Sequence, residues 1–193
     1  MPGRPTRITS LAMALAALLA VSLIGPATAD IGVARVVSAE TYARSLLNCT
    51  RSGGWVEPDG SCIDRGSGKH SAYRKPLPEH RGISRKVAWP WARAMVANDV
   101  CGHVISGKPE LGTRLARKGF SHRYYGENVG CGWGHGSAHD VVLATHLAMQ
   151  AEKPTGGGHW KNMKNPGYRS VGIGVATRDG TTMVVYDFYG RRW

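Results

Sequence analysis

The sequence predicts an α+β domain in which helices cover a small, mainly antiparallel sheet. Three observations carry this: helical apolar periodicity fills the first half of the exported chain, strand-type alternation fills its last third, and a glycine-flanked strand lies between them around Glu127. Residues 1–29 are set apart. Arg4 and Arg7 precede an apolar run of 14 residues, Leu11 to Ile24, then the breaker Gly25-Pro26 and the small residues Ala27-Thr28-Ala29. That order is a secretory signal peptide cleaved after Ala29. The alternative is a membrane anchor, but the run is short against the roughly 20 residues that span a bilayer.

Of 193 residues, 164 then remain, enough for one domain over 30–193 with its core in about 40–190. Loss of the two leader arginines takes the formal charge from +12 to +10. Such a surface favours anionic partners, either a lipid headgroup, a wall polymer or an acidic protein. No run of five basic residues and no nucleic-acid motif occurs, so nucleic acid is not expected as a partner. After leader cleavage no transmembrane anchor is expected, and the protein is read as a secreted or surface-held monomer.

The first helix starts near Ser38, with Tyr42, Leu46 and Leu47 on one face and Glu40 four residues before Arg44. From Gly53 to Arg81 glycine, serine, proline and charge predict a long surface loop. A second helix fits Ser84 to Asn98, where Val87, Trp91 and Met95 recur every fourth residue. Pro90 inside that pattern means a kink or a later start. Pro109 to Lys118 makes a short helix with proline in its first turn and Gly119 just beyond its end. Ser137 and Asp140 have capping-box spacing for a helix reaching Ala151. Val171, Ile173 and Val175 alternate with small residues, Arg178-Asp179-Gly180 turns, and Met183 to Phe188 returns. Gly172 and Gly174 in that first strand imply that something packs closely over it.

Cys49, Cys62, Cys101 and Cys131 form an even set in an exported chain, which reads as two disulfides. Three connectivities exist. Cys49–Cys62 with Cys101–Cys131 is favoured, since each closes a local loop and the second ties the His103 segment to the Glu127 segment. No Cys-x-x-Cys pair supports a rival zinc site built from cysteine. Asn48-Cys49-Thr50 fits the glycosylation pattern, which matters only in a eukaryotic secretory pathway.

Four blocks then occur in order: Leu46-Leu47-Asn48…Arg51, Ala94-Met95-Val96-Ala97-Asn98-Asp99 followed by His103, Gly126-Glu127-Asn128-Val129, and Gly158-His159. Together they resemble the bacterial branch of the CAP superfamily, the cysteine-rich secretory, antigen 5 and pathogenesis-related-1 proteins, also called SCP-like extracellular proteins. The resemblance implies a three-layer α-β-α sandwich. It also implies a cleft lined by two histidines and acidic residues that commonly holds a divalent metal, often zinc. Carried over by motif, these are His103, Glu127 and His159. A second acid is expected in the helix before the last histidine, where Asp140 stands, with Glu152 and His146 as further candidates. Sterol or fatty-acid binding is also associated with the family.

Two imidazoles and a carboxylate form a zinc ligand set with an open position, able to activate water. The bland alternative is that these groups only hydrogen-bond one another. Asn128 and Trp160 complete the expected cleft: Asn128 to hold the Glu127 strand, Trp160 to line a groove if it is not simply core. Trp133 is a similar candidate, while Trp89 and Trp91 are read as core. Glu127 is the candidate general base of a metal-assisted hydrolase. No Gly-x-Ser-x-Gly motif is present, and Ser106 and Ser121 read as turn residues. His135 and His139 lack the zincin glutamate and read as exposed or capping; His70, His80 and His122 read as solvated. The function expected is therefore an extracellular binding protein, with the hydrolase and a disulfide-stapled structural protein as alternatives.

Overall fold

The computed structural model describes residues 32–121, 123–134 and 136–190. The signal-peptide reading and the readings of His122 and His135 fall outside these residues. Among them, no helix is long and apolar enough to cross a membrane.

Strand β1 (Ala34–Arg35) leads into α1 (Val37–Arg51). A two-residue ladder, β2 (Trp55–Val56) against β3 (Cys62–Ile63), interrupts the stretch expected to be pure loop. Next come α2 (Arg81–Ile83), a wide π turn over Ser84–Ala88, α3 (Trp89–Asn98) and α4 (Leu111–Arg117). The rest is β4 (Tyr124–Gly132), α5 (Ala138–Ala151), a 3-10 turn (Lys153–Thr155), α6 (Gly158–Lys164), β5 (Ser170–Arg178) and β6 (Thr181–Gly190). The main sheet is antiparallel with order β1-β5-β6-β4, so β4 is an outer strand.

The pleat sorts the layers. On β6, Val184, Tyr186 and Phe188 pack with α1, α5 and α6, around Leu46, Leu47, Val142 and Met163. Met183 and Val185 point the other way, onto Trp91, Ala92 and Met95 of α3. Helices thus cover both faces, and the fold is the expected α-β-α sandwich with two disulfides, Cys49–Cys62 and Cys101–Cys131. Asp179 and Gly180 both take positive φ, +50° and +75°, as a two-residue type I′ hairpin turn requires.

The second helix begins earlier than its pattern suggested, at Arg81, and widens rather than kinks. Pro90 has no N–H to give to the preceding turn, and the π turn over Ser84–Ala88 absorbs the mismatch. This run lies directly on β5. A Cβ on Gly174 would come 2.4 Å from Ala88 C and Trp89 N, and one on Gly172 would come 2.4 Å from Ile83 Cγ2. Ser84 Oγ also accepts the Ile173 N–H at 3.0 Å.

Glu40 does not pair along α1 with Arg44. It is buried, takes Arg35 through both oxygens at 2.8 Å, and accepts the Val175 N–H at 3.2 Å. A buried carboxylate needs such partners, and the chain just before the helix supplies a nearer cation than its own surface does. The C-termini of α1 and α6 exchange cations in a similar way. Arg51 donates to Met163 O at 2.5 Å and Asn165 O at 3.3 Å, while Lys164 Nζ donates to Thr50 O at 2.9 Å and Arg51 O at 3.0 Å. Orphan helix carbonyls are thereby satisfied, and α6, which carries His159, is locked onto α1.

Candidate functional site: two histidine–carboxylate pairs around an outer strand

Successive residues of β4 face opposite layers, and the site exploits this. Glu127 stands opposite Asp187 of β6, on the face covered by α3 and α4; Asn128 stands opposite Tyr186, on the face covered by α5 and α6. His103 reaches Glu127 from one side. The Cys101–Cys131 bridge anchors its loop to β4, and His103 Nδ1 lies 2.9 Å from Glu127 Oε1. The Glu127 bond raises the His103 pKa above the ordinary histidine value, against partial burial and the Arg114 charge.

The other Glu127 oxygen is taken by Arg114 of α4 through Nη2. The Glu127 side chain is only 5% exposed, so its charge is held by two cationic or proton-donating partners rather than by water. Beside it, Asp187 is fully buried, with no hydrogen-bond partner for either oxygen among the described residues. Burial, reinforced by the Glu127 charge and only partly offset by Arg114, pushes the Asp187 carboxyl well above its usual range.

His159 approaches from the other face. Asn128 Nδ2 donates to His159 O at 3.1 Å, and Asn162 Nδ2 donates to both Glu127 O and Asn128 Oδ1, at 3.1 and 2.8 Å. Tyr168 OH donates to Asn162 Oδ1 at 3.0 Å, which fixes the orientation of that amide. His103 thus meets β4 through its ring at Glu127, and His159 meets it through its backbone carbonyl at Asn128, on the opposite face of the strand.

Of the three candidates for a second acid, Glu152 is the one that contacts His159. Its Oε1 lies 2.5 Å from His159 Nδ1, and its Oε2 accepts the backbone N–H groups of His159 at 2.9 Å and Trp160 at 3.2 Å. Partial burial works to raise this carboxyl, but those bonds outweigh it and hold the pKa below the ordinary value. Gly157 makes the approach possible, since a Cβ there would meet Glu152 Oε2 at 2.4 Å. The other two candidates for this acid serve elsewhere. Asp140 closes the capping box with Ser137, and His146 is fully buried against Thr50 Oγ1 at 2.9 Å.

The Trp160 side chain packs against the main core, and its backbone N–H goes to Glu152. Trp133 is exposed and donates to Asp99 at 2.8 Å, well apart from these pairs in its bonding. His139 contacts the Tyr42 ring, and His70 and His80 are not freely solvated: the first pairs with Asp64 at 2.8 Å, the second caps α2. Sequence reasoning missed Arg114, Asp187, Asn162 and Tyr168. Only Asp187 gave a signal, as a lone acid inside an apolar strand.

The donor chemistry tests the expected metal set. Among the described residues, no group of three or more His, Cys, Asp or Glu side chains is gathered as a metal centre. Glu127 does not fit as a ligand, because His103 and Arg114 engage its two oxygens. The two imidazoles are the donors of that set not consumed at both ends. Each is tied at Nδ1 to a carboxylate, the outer-shell arrangement that orients a metal-binding histidine, and each is partly exposed.

No protein-family model matches the chain. No curated protein matches it either. Among solved structures, an extracellular protein containing an SCP domain from Bacillus anthracis str. Ames superposes with a TM-score of 0.56 at 19% identity. The match covers 80% of this chain and 41% of that one, so this chain spans less than half of its neighbour. The mixed layers, the sheet order and this superposition together establish an SCP-like fold.

Proposed function

We propose that the protein is an exported, SCP-fold binding protein whose His103 and His159 imidazoles take a divalent metal, zinc being the natural candidate, beside an anionic extracellular ligand. One observation supports this most: both rings are held at Nδ1 by carboxylates, Glu127 and Glu152, which leaves Nε2 as the donor atom of each. The extracellular character of the structural neighbour supports the export part of the reading, and the net charge, +12 for the full sequence and +10 without the leader arginines, supports the ligand part. A bound divalent ion would supply positive charge and open positions for ligand oxygen.

The hydrolase reading is weaker on the same geometry. A general base needs a free carboxylate oxygen within reach of water, and Arg114 and His103 already engage both oxygens of Glu127. Ser106 is exposed in a loop and makes no side-chain bond to a base among the described residues. The test is a calorimetric zinc titration of the disulfide-intact chain beside the His103→Ala/His159→Ala double variant. Saturable one-site binding that disappears in the variant supports the proposal; no binding by the unaltered protein rejects it.

A further inference from the structure

We propose that the groove between α3 and α4 binds a phosphate dianion, free or as the head of a small phosphomonoester, with Arg114 as its anchor. The groove has a volume of about 410 Å³, within the usual range for small-molecule sites. Its lining carries six cations, Lys86, Arg93, Lys108, Arg114, Arg117 and Lys118, and no Asp or Glu. Val87, Pro90, Trp91 and Ala94 supply its apolar floor.

Arg114 is the observation that points to a ligand. It is 8% exposed, yet among the described residues Nε and Nη1 have no hydrogen-bond partner, and Nη2 is engaged by Glu127. The guanidinium lies over the Trp91 ring at 3.8 Å from its centre, and the ring is itself fixed by Nε1 donating to Gly102 O at 3.2 Å. Unmade N–H bonds on a buried cation are costly, and phosphate oxygens are the acceptors that satisfy guanidinium donors best. Charge selects the dianion. Glu127 offsets only Arg114, whereas Lys86, Lys108, Arg117 and Lys118 make no ion pair among the described residues. A phosphomonoester carries about −1.5 to −2 at neutral pH, and its organic part would lie on the apolar floor. This inference stands on the groove alone and needs no metal.

The experiment titrates the disulfide-intact chain with inorganic phosphate, then with glycerol phosphate, at about physiological ionic strength. Calorimetry and tryptophan fluorescence are the readouts. The expected result is one saturable site, weakened at least roughly tenfold in Lys86→Ala/Lys118→Ala without a change in melting temperature. Arg114→Lys, which keeps a cation for Glu127 but loses the guanidinium donors, should weaken binding further. Tighter binding of glycerol phosphate assigns the site to an ester; equal binding assigns it to free phosphate. Failure of both probes to saturate, a stoichiometry above one, or unaltered affinity in the lysine variant overturns the proposal.

Discussion

Glu152 grips His159 twice, through the ring Nδ1 at 2.5 Å and through the backbone N–H at 2.9 Å. The first contact orients the imidazole, and the second pins the start of α6. Glu152→Gln keeps the shape but removes the charge that favours an Nδ1–H. We expect zinc affinity to fall about 10- to 100-fold with the fold retained. Calorimetry with circular dichroism on the same samples checks both halves.

Arg114 is the counter-charge of a buried carboxylate. Arg114→Ala leaves Glu127 beside Asp187 with His103 as its one remaining side-chain partner among the described residues. The expected cost is about 3–5 kcal/mol of unfolding free energy. Adding Glu127→Gln should recover part of that loss, because the stranded charge is then gone. Denaturant unfolding of the two single variants and the double variant measures the coupling.

His146 predicts an acid limb of stability. Thr50 Oγ1 donates to Gln150 Oε1 at 3.1 Å, so it accepts from His146 Nε2–H, and the buried Nδ1 has no partner among the described residues. Burial pushes the His146 pKa down to about 4. A histidine depressed in the folded state is neutral there while the unfolded chain binds a proton. Its contribution is therefore intact above about pH 6.5 and lost as pH falls toward 4. Roughly 3 kcal/mol should disappear across that window, and melting temperatures of His146→Gln should be flatter there.

Gly174 sits under the helical run at a distance that excludes a side chain. Gly174→Ala should cost about 1–3 kcal/mol or more through overpacking, since the atoms it would meet are backbone. Gly66→Ala is the control: a Cβ there has open space, and only its φ of +81° carries a penalty. Thermal unfolding separates the two.

Much of the fold was legible because it rests on local signals. The Ser137–Asp140 box, the Asp179-Gly180 turn and the glycines of β5 each state their structural role within a few residues. Both disulfide pairings also followed from loop closure. Of the residues that the motifs named, His103 and Glu127 lie within hydrogen-bond distance of each other, at 2.9 Å. Arg114 was not legible, because an arginine on a short helix looks like a solvated one until its neighbour is known. Glu152 was one of three candidates that the sequence did not separate: it stands one residue past α5, and its pairing with His159 depends on the turn that follows it. Asp187 needed the β4–β6 register, which alternation alone does not fix.

The central claim is that two imidazoles donate through Nε2 while their carboxylates stay in the outer shell. The most direct measurement follows the histidine ring-nitrogen resonances as one equivalent of zinc is added. The account predicts that Nε2 of His103 and His159 shift together while Nδ1 of both remains protonated. Shifts confined to other histidines, or no shift at all, would contradict it.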